Sequence, residues 1–143
     1  MKRILFLTEG GRAYGLGHLS RCFALAQAFE ESGILVRFVL SGDAGAASFF
    51  GAREVHLLDW TENYVKLNPF IEEADAVVVD SYRASPECYQ RIAADTGLGI
   101  YLDDNGRIDY PEGAHCLPML LLQFFAYHLS FEKYKSRQIE LIS

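Results

Sequence analysis

Short runs of unbroken apolar residues alternate with helix-patterned segments along this chain, and that alternation most constrains its fold. Ile4, Leu5, Phe6 and Leu7 form the first run, inside a strand expected over residues 2–8. A helix follows over about residues 18–32, with Leu19, Cys22, Phe23, Leu25, Ala26 and Phe29 on its apolar side. Residues 34–41 read as a second strand, 44–50 as a short helix stopped by Gly51, and 54–58 as a third strand. Residues 63–73 read as helical, with Pro69 as an interruption. The cleanest strand pattern spans 74–80, where Val77, Val78 and Val79 suit burial on both faces. Ser85 then caps a helix that Pro86 opens, which runs to about Asp95 and is stopped by Gly97. Residues 98–102 read as a fifth strand. Continuous apolar strands alternating with helices predict a parallel sheet covered on both sides. The expected class is therefore α/β, a doubly wound parallel sheet.

With 143 residues, 50% of them hydrophobic, the chain can build one compact domain with a real core. Its formal charge is -6, and its Lys and Arg residues are spread out, so the basic stripe of a nucleic-acid binder is missing. No apolar run approaches about 20 residues, so no membrane span is expected. The N-terminal MKRILFLTEGG has a short apolar run, but Thr8 and Glu9 end it at once, and a first strand fits better than a signal peptide. Cys22, Cys88 and Cys116 are widely spaced and give neither metal-ligand spacing nor an even disulfide set. A reducing, cytoplasmic setting without bound metal is expected. The pattern shifts near Pro111, so a first domain is expected over 1–113 and an apolar, then charged, tail over 114–143. Within that tail Leu117, Leu120, Leu121, Phe124 and Phe125 fit one helical face.

In doubly wound sheets ligands bind beyond the carboxyl ends of the strands, at the switch in strand order. The polar residues of interest follow strand ends. Gly15, Gly17 and His18 follow the first strand, Asp80, Ser81, Tyr82 and Arg83 the fourth, and Asp103, Asp104 and Asn105 the fifth. Glycines without a Cβ let a ligand approach the backbone, and a helix N-terminus offers unpaired N–H groups to phosphate or sugar oxygens. A histidine there can move protons near neutral pH. Arg21, three residues on, shares its helix face. The plainer readings are a helix-capping His18, an Arg21 paired with a surface acid, and Asp80 and Asp104 as strand-end caps or turn formers.

A dinucleotide fingerprint fits Gly15-Leu16-Gly17-His18-Leu19-Ser20 poorly, because the loop from Thr8 to Gly15 is too long for its tight turn. Asp43 would be the only candidate ribose acid, so no nicotinamide or flavin cofactor is expected. A phosphate-binding P-loop is excluded, since no Gly-Lys-Ser/Thr follows. Ser81 and Cys88 have no visible base to make them nucleophiles, and His56, His115 and His128 are isolated.

Three segments carry a resemblance. Gly15-Leu-Gly-His-Leu-Ser-Arg-Cys-Phe-Ala-Leu-Ala, Val79-Asp80-Ser81-Tyr82 and Leu102-Asp103-Asp104-Asn105-Gly106-Arg107-Ile108-Asp109-Tyr110-Pro111 look like the N-terminal half of the UDP-2,4-diacetamido-2,4,6-trideoxy-β-L-altropyranose hydrolases of pseudaminic acid biosynthesis. The resemblance covers about residues 1–113. The glycine–histidine motif alone is shared more broadly with two-domain, GT-B type sugar-nucleotide enzymes such as the MurG-like transferases. The resemblance implies a Rossmann-like domain and an inverting hydrolysis at the anomeric carbon, with UDP leaving. His18 matches the family's catalytic histidine, which activates water. Gly15, Gly17, Arg21, Asp80, Tyr82, Asp103 and Asp104 become candidate contacts to the UDP-sugar substrate.

The family holds the nucleotide largely in a second Rossmann-like domain, and the tail from Ala114 does not look like its continuation. The expectation is a truncated or split enzyme, inactive without a C-terminal nucleotide-binding domain or partner chain. Two alternatives are half of a split GT-B glycosyltransferase, with His18 deprotonating a sugar acceptor, and a non-catalytic fragment that binds sugar or a partner protein. A base and acids for sugar hydroxyls are present in the sequence, whereas cations for the phosphates look scarce.

Overall fold

The computed structural model describes residues 2–112 and 115–117. Among these, six strands form one sheet: β1 (Arg3–Gly10), β2 (Leu35–Gly42), β3 (Val55–Leu57), β4 (Ala76–Asp80), β5 (Gly99–Leu102) and β6 (His115–Leu117). Their order is β3-β2-β1-β4-β5-β6, and every pairing is parallel. Four helices accompany them: α1 (Gly17–Glu31), α2 (Ala44–Ser48), α3 (Asn68–Glu72) and α4 (Pro86–Asp95). This is the doubly wound, Rossmann-like α/β architecture that the alternating pattern predicts.

The period-two alternation of β1 divides the core into two layers. Ile4 and Phe6 face one layer, with Phe38, Val78, Phe50 and the buried Leu19, Cys22 and Ala26 of α1. There Phe38 stacks between Phe6 and Phe50, with ring centroids 5.0 and 4.1 Å away. Leu5 and Leu7 face the other layer, with Val77, Val79, Trp60, Ile71, Ile92 and Tyr101. Trp60 is fully buried there and donates its indole N–H to the Thr8 carbonyl at 2.9 Å, which satisfies the only polar atom of its ring. Val77, Val78 and Val79 are all fully buried, because helices cover β4 from both sides.

Several local expectations hold in atomic detail. Ser85 caps α4 by accepting the Cys88 N–H at 3.2 Å, and Pro86 sits in its first turn. Gly51 ends the α2 segment with a φ of +66°. Other details differ. Pro69 does not interrupt a helix over 63–73. A 3-10 turn over Tyr64–Leu67 comes first, and Pro69 lies in the first turn of α3, where its missing N–H costs nothing. β1 runs two residues past the expected end, so that Glu9 and Gly10 pair with Ser41 and Gly42 of β2. The tail also needs correction at its start. His115, Cys116 and Leu117 form β6 and pair with Ile100, Tyr101 and Leu102, so Leu117 is a strand residue and the sheet extends beyond residue 113. At Leu117 backbone pairing with β5 outweighs the helical spacing. Leu120, Leu121, Phe124 and Phe125 lie outside the described residues.

The strand order reverses between β1 and β4, which opens the crevice where such folds bind ligands. Close approach of β1 and β2 near this edge requires Gly42, since a Cβ there would overlap the Gly10 carbonyl oxygen. Gly42→Ala should therefore destabilise the fold by roughly 1–3 kcal/mol, the usual cost of overpacking. A control, Gly97→Ala, places its Cβ in open space and should change stability by less than about 0.5 kcal/mol. Urea unfolding of both variants checks this, and equal midpoints would contradict it.

Candidate functional site

The site begins where β1 ends. Gly11 and Gly15, at φ values of +118° and +76°, bridge each other across a small loop, with N–H···O distances of 3.1 and 2.8 Å. L-residues with a Cβ rarely adopt these conformations. The loop delivers the chain to α1, whose N-cap residue Leu16 offers no side-chain acceptor to the first N–H groups. Added Cβ atoms at Gly15 or Gly17 would meet nothing within 4 Å, so the backbone there is open to an incoming ligand.

His18 lies in the first turn of α1 but turns inward, with only 6% of its surface exposed. Its Nδ1 lies 2.6 Å from Asp80 Oδ1, at the fully buried end of β4. One turn further along α1, Arg21 grips both Asp80 oxygens through Nε and Nη2. Burial opposes the Arg21 charge, but its hydrogen bonds to Asp80 and that carboxylate's charge hold it well above its ordinary pKa. Arg21 Nη2 also lies 3.0 Å from His18 Nδ1, so two donors converge on one carboxylate oxygen. Cys22 adds a weak S–H donor at 3.5 Å. An ionised carboxylate only accepts, so Nδ1 carries a proton and a neutral His18 has its lone pair on Nε2. His18 is thus not a helix-capping residue, and Asp80 is not a simple strand-end cap.

Glu9 completes the cluster, and sequence reasoning missed it. Its side chain is buried at the end of β1, and Oε1 lies 3.5 Å from His18 Nε2. Ser81 Oγ donates to Oε2 at 2.8 Å and the Tyr82 N–H donates to Oε1 at 2.7 Å. The imidazole therefore sits between carboxylates from two adjacent strands. The only sequence signal was an acid at the end of an apolar strand next to the glycine loop.

The remaining candidates take different places. Tyr82 is exposed and lies edge-on to His18, with ring centroids 4.5 Å apart. The Arg107 guanidinium stacks on the Tyr82 ring at 4.0 Å and donates to the Ser81 carbonyl at 2.9 Å. Arg83 stacks on Tyr14 at 4.7 Å and donates to Ser41 Oγ at 3.1 Å. The sheet edge therefore gathers more cations than the sequence suggests, though Arg21, Arg83 and Arg107 all have partners within the chain. Asp104 is exposed, with Oδ2 3.4 Å from Arg21 Nη1.

Asp103 turns inward instead. It accepts from Asn105 N at 2.9 Å, Arg107 N at 2.8 Å and Tyr110 Oη at 2.7 Å, the pattern of a turn former. Burial alone would raise its pKa, but these hydrogen bonds and the nearby Arg107 charge bring it down to about 2. Ser81 Oγ is occupied by Glu9 and by the Arg83 and Ala84 N–H groups. Burial pushes the Cys88 thiol up to about 11, so little thiolate exists near neutral pH. Asp43 caps α2 by accepting the Ala46 N–H at 2.8 Å. His56 pairs with Glu54 at 2.7 Å, His115 is exposed, and His128 lies outside the described residues. No helix among the described residues is long and apolar enough to cross a membrane.

No family model and no curated protein matches this chain. Solved structures do share its fold. MurG of Acinetobacter baumannii superposes with a TM-score of 0.59 at 11% identity, over 77% of this chain and 37% of that chain. An exopolyphosphatase-related protein from Bacteroides fragilis gives 0.55 at 12% identity, over 82% of this chain and 34% of that one. RSP in complex with β-NADH gives 0.50 at 13% identity, over 99% and 65%. The chain thus spans about a third of the length of the first two, and the likeness shows a Rossmann-like fold.

The Asp103 geometry predicts a pH-dependent contribution to stability. Its pKa is about 2 when folded and about 4 when unfolded. The depressed value stabilises the fold above about pH 4 and stops doing so as pH falls towards 2. Asp103→Asn should cost about 1–2 kcal/mol at pH 7, with a difference that shrinks towards zero near pH 2. Denaturant titrations at both pH values test this. An equal cost at both would show that the carboxylate charge is not the source.

Proposed function

We propose that this chain is the sugar-binding, catalytic-histidine half of a UDP-sugar hydrolase, acting on 2,4-diacetamido-2,4,6-trideoxy-β-L-altropyranose linked to UDP. The observation that carries this reading is the buried His18–Asp80 pair, with Nδ1 and Oδ1 2.6 Å apart beneath an open glycine loop at the β1–β4 switch. The sequence resemblance of the same three segments supplies the substrate class, and the fold shared with MurG is compatible with it.

In this mechanism His18 Nε2 takes a proton from water while the water oxygen bonds to the anomeric carbon. The bond from that carbon to the UDP oxygen breaks, and its electron pair leaves on the phosphate. Attack from the face opposite the leaving group inverts the configuration. Asp80 holds the imidazole by Nδ1 and stabilises the imidazolium that forms, as an orienting carboxylate does for a general base. Arg21 fixes Asp80 from both oxygens. Gly15 and Gly17 admit the sugar to the backbone, and the exposed Tyr82 and Asp104 flank it. Asp103 acts indirectly, shaping the turn that presents Asp104 and Arg107. The nucleotide is assigned to a second domain or partner chain, facing this one across the cleft.

UDP release is the test, measured on this chain alone and on this chain joined to a C-terminal nucleotide-binding domain. The joined protein should hydrolyse the UDP-sugar, and the chain alone should give no detectable release. In the joined protein His18→Ala should lower kcat by roughly 10²–10⁴, the range of general-base catalysis, with a smaller effect on binding. Wild-type turnover by His18→Ala would remove the base assignment. Robust release by the chain alone would place a complete site within these residues. Release that requires a sugar acceptor would favour a glycosyltransferase.

A further inference from the structure

We propose that Glu9 is a positioning residue for His18, a second carboxylate beside Nε2 whose charge steadies the imidazole when that nitrogen gains a proton. The inference rests on the reading of His18 as a base, but its evidence lies in the packing of Glu9. A glutamate whose side chain is 98% buried at the end of a central strand needs partners to be tolerated. Three groups face it. Ser81 Oγ donates to Oε2 at 2.8 Å, the Tyr82 N–H donates to Oε1 at 2.7 Å, and His18 Nε2 lies 3.5 Å from that same Oε1.

The first two contacts fix the carboxylate rigidly and come from the loop that directly follows Asp80. One short segment, Asp80-Ser81-Tyr82, therefore sets both walls around the imidazole. The third contact is incomplete. At 3.5 Å Glu9 Oε1 lies beside Nε2 but beyond a hydrogen bond, which leaves the Nε2 lone pair for the water that gives up its proton. Once Nε2 has taken that proton, the ring is positive, and the Glu9 carboxylate 3.5 Å away attracts its charge without a hydrogen bond. The cluster is thus built for the protonated product of the base step more than for its starting state. Interactions that strengthen as the reaction proceeds are the ones that accelerate it. Glu9 touches neither water nor sugar in this scheme and acts only through His18.

Glu9→Gln is the informative variant, because the amide keeps an acceptor for Ser81 or Tyr82 while losing the charge. In whichever preparation releases UDP, it should lower kcat by about 10- to 100-fold, the scale of a misoriented catalytic group, with KM changed less than about twofold. Glu9→Asp should recover part of that loss. Combined with His18→Gln, Glu9→Gln should add no further loss, since its effect passes through the imidazole. Unchanged kcat in Glu9→Gln, or losses that multiply in the double variant, would overturn the proposal.

A second measurement is independent of activity. In the chain labelled with ¹⁵N-histidine, Glu9→Gln should move the Nε2 resonance of His18 much more than that of Nδ1, and circular dichroism should stay unchanged. An Nε2 resonance that does not respond in a folded Glu9→Gln variant would overturn the proposal even if the hydrolase reading stands. Should no preparation release UDP, the hydrolase reading fails, and the NMR result still decides whether Glu9 governs His18.

Discussion

The Asp80 carboxylate is the interaction on which the rest of the site depends. It is fully buried at the carboxyl end of β4, and it is reached by His18, Arg21 and Cys22 from one face of α1. Leu19, Cys22 and Ala26 seat α1 on the sheet, and that seating turns His18 inward to Asp80 while Gly17 and Ser20 stay exposed. A buried ion pair of this kind contributes little net stability compared with apolar packing, yet removing one partner leaves a charge stranded at a cost of about 3–5 kcal/mol. The two apolar layers hold the domain together without it. Its presence at the switch in strand order, beneath an open loop, makes chemical sense as a device for orienting an imidazole.

The arrangement also shows how a fold turns neighbouring strands into one constellation. Thr8 pairs with Asp80 across β1 and β4, so Glu9, the next residue on β1, reaches the same edge. Glu9 and Asp80 are 71 positions apart in sequence, yet both arrive at His18 because parallel strands end together. The loop after Asp80 then returns its own Ser81 and Tyr82 to Glu9, and Arg107 from the segment after β5 closes over Tyr82. Three strand ends and one helix start therefore contribute to a single edge.

Much of this was legible in the sequence, for reasons tied to particular residues. Val77–Val79 could only be a strand buried on both faces, and Ser85-Pro86 spells a helix start through local hydrogen bonding and a fixed φ. His18, Arg21 and Asp80 could be picked out because they follow strand ends, where such folds concentrate chemistry. What was not legible depends on direction or distance. Asp103 and Asp104 are adjacent and chemically alike, and only the turn geometry sends one inward to Tyr110 and the other outward towards Arg21. Glu9 looked like the polar end of a strand, because its partners Ser81 and Tyr82 lie 72 and 73 residues away. The three-residue β6 was hidden inside an apolar segment whose spacing suits a helix, and only the free edge of β5 reveals it.

The most direct measurement of the central claim is a backbone amide NMR titration of this chain with the UDP-sugar. Shift changes should concentrate at Gly15, Gly17, His18, Tyr82 and Asp104, the residues around the Asp80–His18 pair. They should be largely lost in Gly17→Val, whose side chain would occupy the open space above the loop. Shift changes at the opposite end of the sheet, around Arg3, Arg37 and Phe70, or none at millimolar ligand, would contradict the assignment of this edge as the site.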